Sequence, residues 1–160
     1  MHRTFILLII LFVSAISCED SRLQMEYKNF ADVWPVDEKA VFKLNPISKR
    51  EVNLIIYVRN DYRYPFSNLF LIASLRDGNE ILISDTLEYE MTDAKGNWLG
   101  SGFMEVKESK LWWKENFEIP DKKPLTAEIE HAVRFNGAED GIDVLKGIVG
   151  VGLAIEAISN

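Results

Sequence analysis

The segment PLTAEIEHAVRF at 124–135 puts Leu125, Ala127, Ile129, His131, Val133 and Phe135 on one side of an extended backbone. Thr126, Glu128, Glu130, Ala132 and Arg134 fall on the other. Strand side chains alternate between faces while helical ones repeat every 3.6 residues, so this spacing asks for a half-buried strand. EVNLIIYVRN repeats the pattern with Val52, Leu54, Ile56 and Val58, and NLFLIASL with Leu69, Leu71, Ala73 and Leu75 opposite Phe70 and Ile72. EILISDTLEYE aligns Ile81, Ile83, Leu87 and Tyr89, and GVGLAIEAI aligns Val151, Leu153, Ile155 and Ala157. Shorter strands are expected at 40–44, 102–107 and 112–117. Turn signals separate the runs, among them Asn45-Pro46, Asp77-Gly78-Asn79, Asp93 to Gly96, Pro120-Asp121 and Asn136-Gly137. Roughly eight short strands with frequent turns predict an all-β fold, a single antiparallel β-sandwich. One helical turn is expected within AEDGIDVLKG at 138–147.

The N-terminus reads differently. MHRTFILLIILFVSAIS has a basic start, an apolar stretch from Phe5 to Val13 and then short residues, the layout of a secretory signal peptide. A membrane-spanning helix needs about 20 apolar residues, and this run is shorter and meets Glu19 and Asp20. Ala15-Ile16-Ser17-Cys18 resembles a bacterial lipobox, with Ala15 where Leu is usual. That resemblance implies cleavage before Cys18 and a covalent diacylglycerol and acyl chain on its sulfur. Each buried methylene adds about 0.8 kcal/mol, so two chains anchor stably where one is marginal. The expected organisation is a signal peptide at 1–17, a lipid-anchored tether and edge segment at 18–38, and the sandwich at 39–160.

Cleavage would leave 143 of the 160 residues and remove Arg3, shifting the formal charge from −7 to −8. An acidic chain of this kind disfavours nucleic acid and gains nothing electrostatically from anionic lipid, so membrane contact is expected through acyl chains alone. With Cys18 the single cysteine, no disulfide contributes to the fold.

The inventory for chemistry is thin. Loss of His2 leaves His131 as the one histidine, so a His/Cys metal site cannot be built within one chain. His131 lies in an apolar alternation and is read as a structural imidazole. Ser101 in LGSGF has glycines adjacent to it, not two residues away as in a nucleophile elbow. TDAKGNW lacks the acidic ligand spacing of a calcium loop and reads as a hairpin turn. No enzymatic activity and no cofactor are expected.

Large aromatics concentrate in the connections. RNDYRYPFSN at 59–68 holds Tyr62, Tyr64, Pro65 and Phe66, GNWLGSGF at 96–103 holds Trp98, and Trp112-Trp113 makes a third cluster. Such residues in ordered loops serve as binding anchors, or as plugs over the open ends of a small sandwich. Trans is the expected state of the Tyr64-Pro65 bond.

Taken in order, the lipobox cysteine, Trp34, YVRNDYRYPFSNLFL, DTLEYEMTDAKGNWLGSG, HAVRF and GIVGVGLAIE resemble the gliding motility lipoprotein GldH family of the Bacteroidetes. The most specific pieces are Arg59, Asn60, Tyr64, Pro65, Phe66, Asn68 and Leu69, then Gly96, Trp98, Leu99, Gly100 and Gly102. The chain departs at Lys123-Pro124-Leu125, where the family often has Gly before an aromatic, and at Val133, where Met often precedes the arginine.

The resemblance implies an envelope lipoprotein required for gliding, linked to the type IX secretion and motility machinery as an anchored structural component. Its place would be the outer membrane, with the domain in the periplasm. Partner-binding residues on this reading are Arg59, Tyr64, Pro65, Phe66, Asn68, Trp98, Leu99 and Gly100. The two loops with a neighbouring strand could supply the roughly 800 Å² per partner of a standard interface. The alternative is a surface glycan-binding lipoprotein stacking sugars on Trp98, Trp112 and Trp113. An exposed flat row of these rings would favour it, and Tyr64 packed under a buried Trp98 would disfavour it.

Overall fold

The computed structural model describes residues 21–48, 51–102, 104–120, 123–134 and 141–158. The signal-peptide run and Cys18 lie outside them. The described residues are all β, with no helix. In chain order the strands are β1 (Arg22–Asn29), β2 (Val33–Pro35), β3 (Ala40–Leu44), β4 (Glu51–Asn60), β5 (Asn68–Asp77), β6 (Glu80–Glu90), β7 (Lys107–Glu118), β8 (Leu125–His131), β9 (Val144–Lys146) and β10 (Ile148–Ala157).

Two four-stranded antiparallel sheets, ordered β1-β10-β4-β7 and β3-β8-β5-β6, face each other as a sandwich, and β2 and β9 pair as a separate ribbon. The alternation explains the layers. Val52, Leu54, Ile56 and Val58 of β4, with Val151, Leu153 and Ile155 of β10, form one inner row. Leu69, Leu71, Ala73 and Leu75 of β5, with Leu125, Ala127 and Ile129 of β8, form the facing one. Each such aliphatic side chain contributes roughly 1.5–3 kcal/mol on full burial. The chain switches sheets at nearly every connection, so the links after β4, after β6 and around β9 gather at one end.

Three local expectations are corrected and one is sharpened. The strand expected at 102–107 begins only at Lys107, because Met104, at φ 62°, turns the chain first. The expected helical turn is absent from the described part of 138–147, where Val144–Lys146 is strand β9, held by Trp34 and its neighbours. Inside the 18–38 segment expected as tether and edge, pairing with β10 already begins at Arg22 and is regular from Gln24. Ile81 does not join Ile83: a bulge opposite Leu75/Arg76 leaves Leu82 without a partner, so Leu82 packs on the core and Ile81 is exposed. The described peptide bonds are all trans, Tyr64-Pro65 included.

His131 has the structural role expected of it. Its Nε2–H donates to the Trp34 carbonyl at 3.0 Å, and its ring meets Trp34 edge-on at 5.2 Å between centroids. Burial lowers its pKa, which keeps the imidazole neutral.

Candidate functional site

The end where the sheet-switching connections gather is built from local hydrogen bonds. Asp61 folds the 61–67 loop: its carboxylate accepts from Arg63 N at 2.9 Å and from Arg63 Nη2 at 2.7 Å. The Arg63 hydrogen bonds hold the Asp61 carboxyl below its usual pKa. Asp61 N–H donates to the Gly147 carbonyl at 2.8 Å. Gly147 has φ 78°, and a Cβ there would strike Tyr64 N, so glycine is required for the two connections to touch.

Tyr64 is thereby driven inward, 3 % exposed, with its hydroxyl donating to the Asn68 carbonyl at 2.7 Å. Burial pushes that phenol upward. Phe66 meets the Tyr64 ring edge-on at 5.7 Å, and Trp98 lies over it at 6.2 Å with a 45° tilt.

The 91–102 connection forms a small hairpin. Asp93 accepts from the N–H groups of Lys95 and Asn97, both at 2.8 Å, and from Asn97 Nδ2 at 2.9 Å. These bonds, led by the Asn97 side chain, lower the Asp93 pKa. Its carboxylate is occupied by its own turn, as expected of a hairpin. Thr92 bridges Trp98, Leu99 N–H donates to Met91 O at 2.9 Å, and Ser101 bridges Glu108 at the start of β7. Gly100 is pressed on β7, where a Cβ would lie 2.8 Å from Ser109 Oγ.

Of the sequence-expected residues, Tyr64, Phe66 and Trp98 are brought into one aromatic plug, closed by the Asn68 backbone. Pro65 lies on its exposed rim, and Leu99, 57 % exposed, points outward beside Gly100. Arg59 does not join them. It lies on the outer face of its sheet, 3.9 Å above the Tyr27 ring, with Nε donating to Glu108 Oε2 at 2.6 Å. The tryptophans make no flat row: Trp113 points inward at 6 % exposure and Trp112 outward at 46 %, as period two requires of neighbours.

Comparison with known proteins decides the family. The sequence profile of the GldH lipoprotein family matches residues 22–155. The chain belongs to that family. It is 44 % identical over 157 residues to "Gliding motility lipoprotein GldH homolog" of Christiangramia forsetii, covering 98 % of this chain and 94 % of the relative. It is 38 % identical over 151 residues to "Gliding motility lipoprotein GldH" of Flavobacterium johnsoniae, covering 92 % and 94 %. Among solved structures, dimeric latent PorU from Porphyromonas gingivalis overlays 88 % of this chain on 13 % of its own, at 10 % identity and a TM-score of 0.39, too low a likeness to speak for the fold.

The residues that complete the site were hidden from sequence reasoning by distance along the chain. Gly147 sits more than eighty positions from Tyr64, and its isolated glycine in VLKGIVG is the one sign of a close approach. Asp61 had a readable signal, since Asp-x-Arg after a strand suits a turn in which the carboxylate caps the following N–H groups. Tyr27 and Glu108, which hold Arg59, gave none.

Proposed function

We propose that this family member is a non-enzymatic envelope lipoprotein of the gliding machinery, anchored through lipid on Cys18. It serves as a structural component linked to type IX secretion, in the outer membrane with its domain in the periplasm. The observation that carries this reading is the family match over nearly the whole domain, together with two relatives named for gliding motility. A protein partner would dock at the loop end. Tyr64, Phe66 and Trp98 seal and stiffen the loop end, while Tyr62, Leu99 and Met104 stay exposed on it. A preformed apolar surface loses little conformational entropy on binding. The glycan alternative loses its motivation, because Trp98 leans on a buried Tyr64 and Trp113 is in the core.

The test is deletion of the gene in the native host, complemented with the intact gene or with Cys18→Ala. Colony spreading and secretion of a type IX cargo are scored together. Loss of spreading restored by the intact gene, and not by Cys18→Ala, is the expected result. Survival of both phenotypes after deletion overturns the reading.

A further inference from the structure

The edges of a sandwich are its exposed hydrogen-bonding surfaces, and side chains protect parts of β3 and β6, two of the four edge strands. Gln24 of β1 reaches across to β3, donating from Nε2 to Lys43 O at 2.7 Å and accepting from Asn45 N at 2.9 Å, which caps two backbone groups at the end of β3. β6 carries the inward charge of Asp85 and a bulge, two devices that deter strand addition.

β7 differs along its length. Glu108 exchanges backbone bonds with Ser101, at 2.9 and 2.8 Å, on the side away from β4. Backbone direction alternates along an antiparallel strand, so the N–H and C=O of Lys110 point the same way. Among the described residues no backbone group meets them. One step further, the Trp112 carbonyl is capped by the Tyr89 hydroxyl at 2.7 Å.

A notch of ≈ 590 Å³ opens at this gap, lined by Glu90, Leu99, Gly100, Ser101, Lys110 and Leu111 among others. Its volume falls within the roughly 300–1,000 Å³ of ordinary binding pockets. Leu99 and Leu111 give it apolar walls. Glu90 makes no ion pair among the described residues, and Lys110 is neutralised by Glu156 at 2.9 Å.

We infer that β7 accepts an extended, basic segment of a partner protein as an added strand, paired to Lys110 and continuing the ladder that Ser101 begins. Backbone bonds to Lys110 supply the register, an apolar side chain sits between Leu99 and Leu111, and a lysine or arginine meets Glu90. The charge fits: the chain is net −7 and the unpaired group at the notch is a carboxylate. The inference rests on the docking reading above but moves the contact from the loop tips to the strand edge. Strand addition of this kind draws affinity from main-chain bonds and specificity from alternate side-chain pockets.

Lys110→Pro removes the one N–H such a strand needs, at an edge position where proline is tolerated. Lys110→Ala removes the Glu156 ion pair and keeps the N–H. With a short alternating valine–lysine peptide as probe, the expected result is at least tenfold weaker binding to Lys110→Pro than to Lys110→Ala. Colony spreading should likewise be lost only in Lys110→Pro. Equal binding by the two variants, or full spreading by Lys110→Pro in a host that needs the gene, overturns edge pairing and leaves the motility reading intact. Absence of any deletion phenotype fails the motility reading alone, and the peptide still judges the edge. If Lys110→Pro does not fold, amide exchange on the unmodified domain decides. Peptide-induced protection at the Lys110 amide supports the inference, and protection confined to 61–67, or none, overturns it.

Discussion

Where β1 faces β3, a single neutral amide bridges the two sheets: Gln24 bonds Lys43 O and Asn45 N. Where β6 faces β7, the closure is made by larger and ionisable side chains. Trp113 Nε1 donates to Asp85 at 2.9 Å, Lys114 reaches the same carboxylate at 3.1 Å, and Tyr89 donates to Trp112 O. The first side meets backbone with a side chain that does not titrate. The second depends on ring packing and a phenol, and stops short of Lys110. An edge is therefore protected residue by residue, and the unprotected step is where a partner strand can enter.

The largest expected effect breaks the second side at its ring. Trp113→Ala removes a nearly buried indole and leaves Asp85 short of a donor. Truncating a buried Trp costs about 3–5 kcal/mol. Denaturant unfolding should show this loss, against near-neutrality for the exposed Trp112→Ala. Similar costs for the two would mean that the inward–outward assignment along β7 is wrong.

The second test separates the sides by pH. Burial raises the Tyr89 phenol to about 12 in the fold, against about 10 in the unfolded chain. The unfolded chain sheds its proton first, so this group's contribution is whole below pH 10 and is lost as pH rises towards 12. Over that window the loss is of order 1–3 kcal/mol. Tyr27, also pushed up to about 12 by burial, adds to the same alkaline slope. Stability measured at pH 8 and pH 11 should therefore fall less in Tyr89→Phe than in the unmodified chain. An unchanged slope would show that the Trp112 cap does not hold the second side.

How far the sequence foretold this contrast follows from the range of each signal. Period two placed the inner rows of β4, β5, β8 and β10, because burial repeats every second residue in one strand. It misplaced Ile81, since a bulge is a property of two strands and only one is read at a time. β9 was missed because three residues carry too little periodicity, and its partner Trp34 is more than a hundred positions away. Tyr64 and Trp98 were legible as important, being large rings in short loops. That they form one plug was not, because the bonds that bring their connections together, from the Met91 and Thr92 N–H groups to Ser67 O, are between backbone groups more than twenty positions apart and leave no side-chain signature. Lys110 gave no signal, since an unpaired backbone group has no side-chain signature.

The smallest effect expected is on the first side. Gln24→Ala removes two hydrogen bonds, but water can reach both Lys43 O and Asn45 N there, so neither group is left buried and unpaired. A net contribution of about 0.5–1.5 kcal/mol per bond sets the scale, with exposure holding the sum near 1 kcal/mol. The more informative readout is local: amide exchange at Asn45 should quicken in Gln24→Ala while amides of β7 keep their rates. Parallel acceleration of both edges would mean that the two sides open together. The difference between a sealed edge and an available one would then be a property of the whole sandwich and not of Gln24 and Lys110.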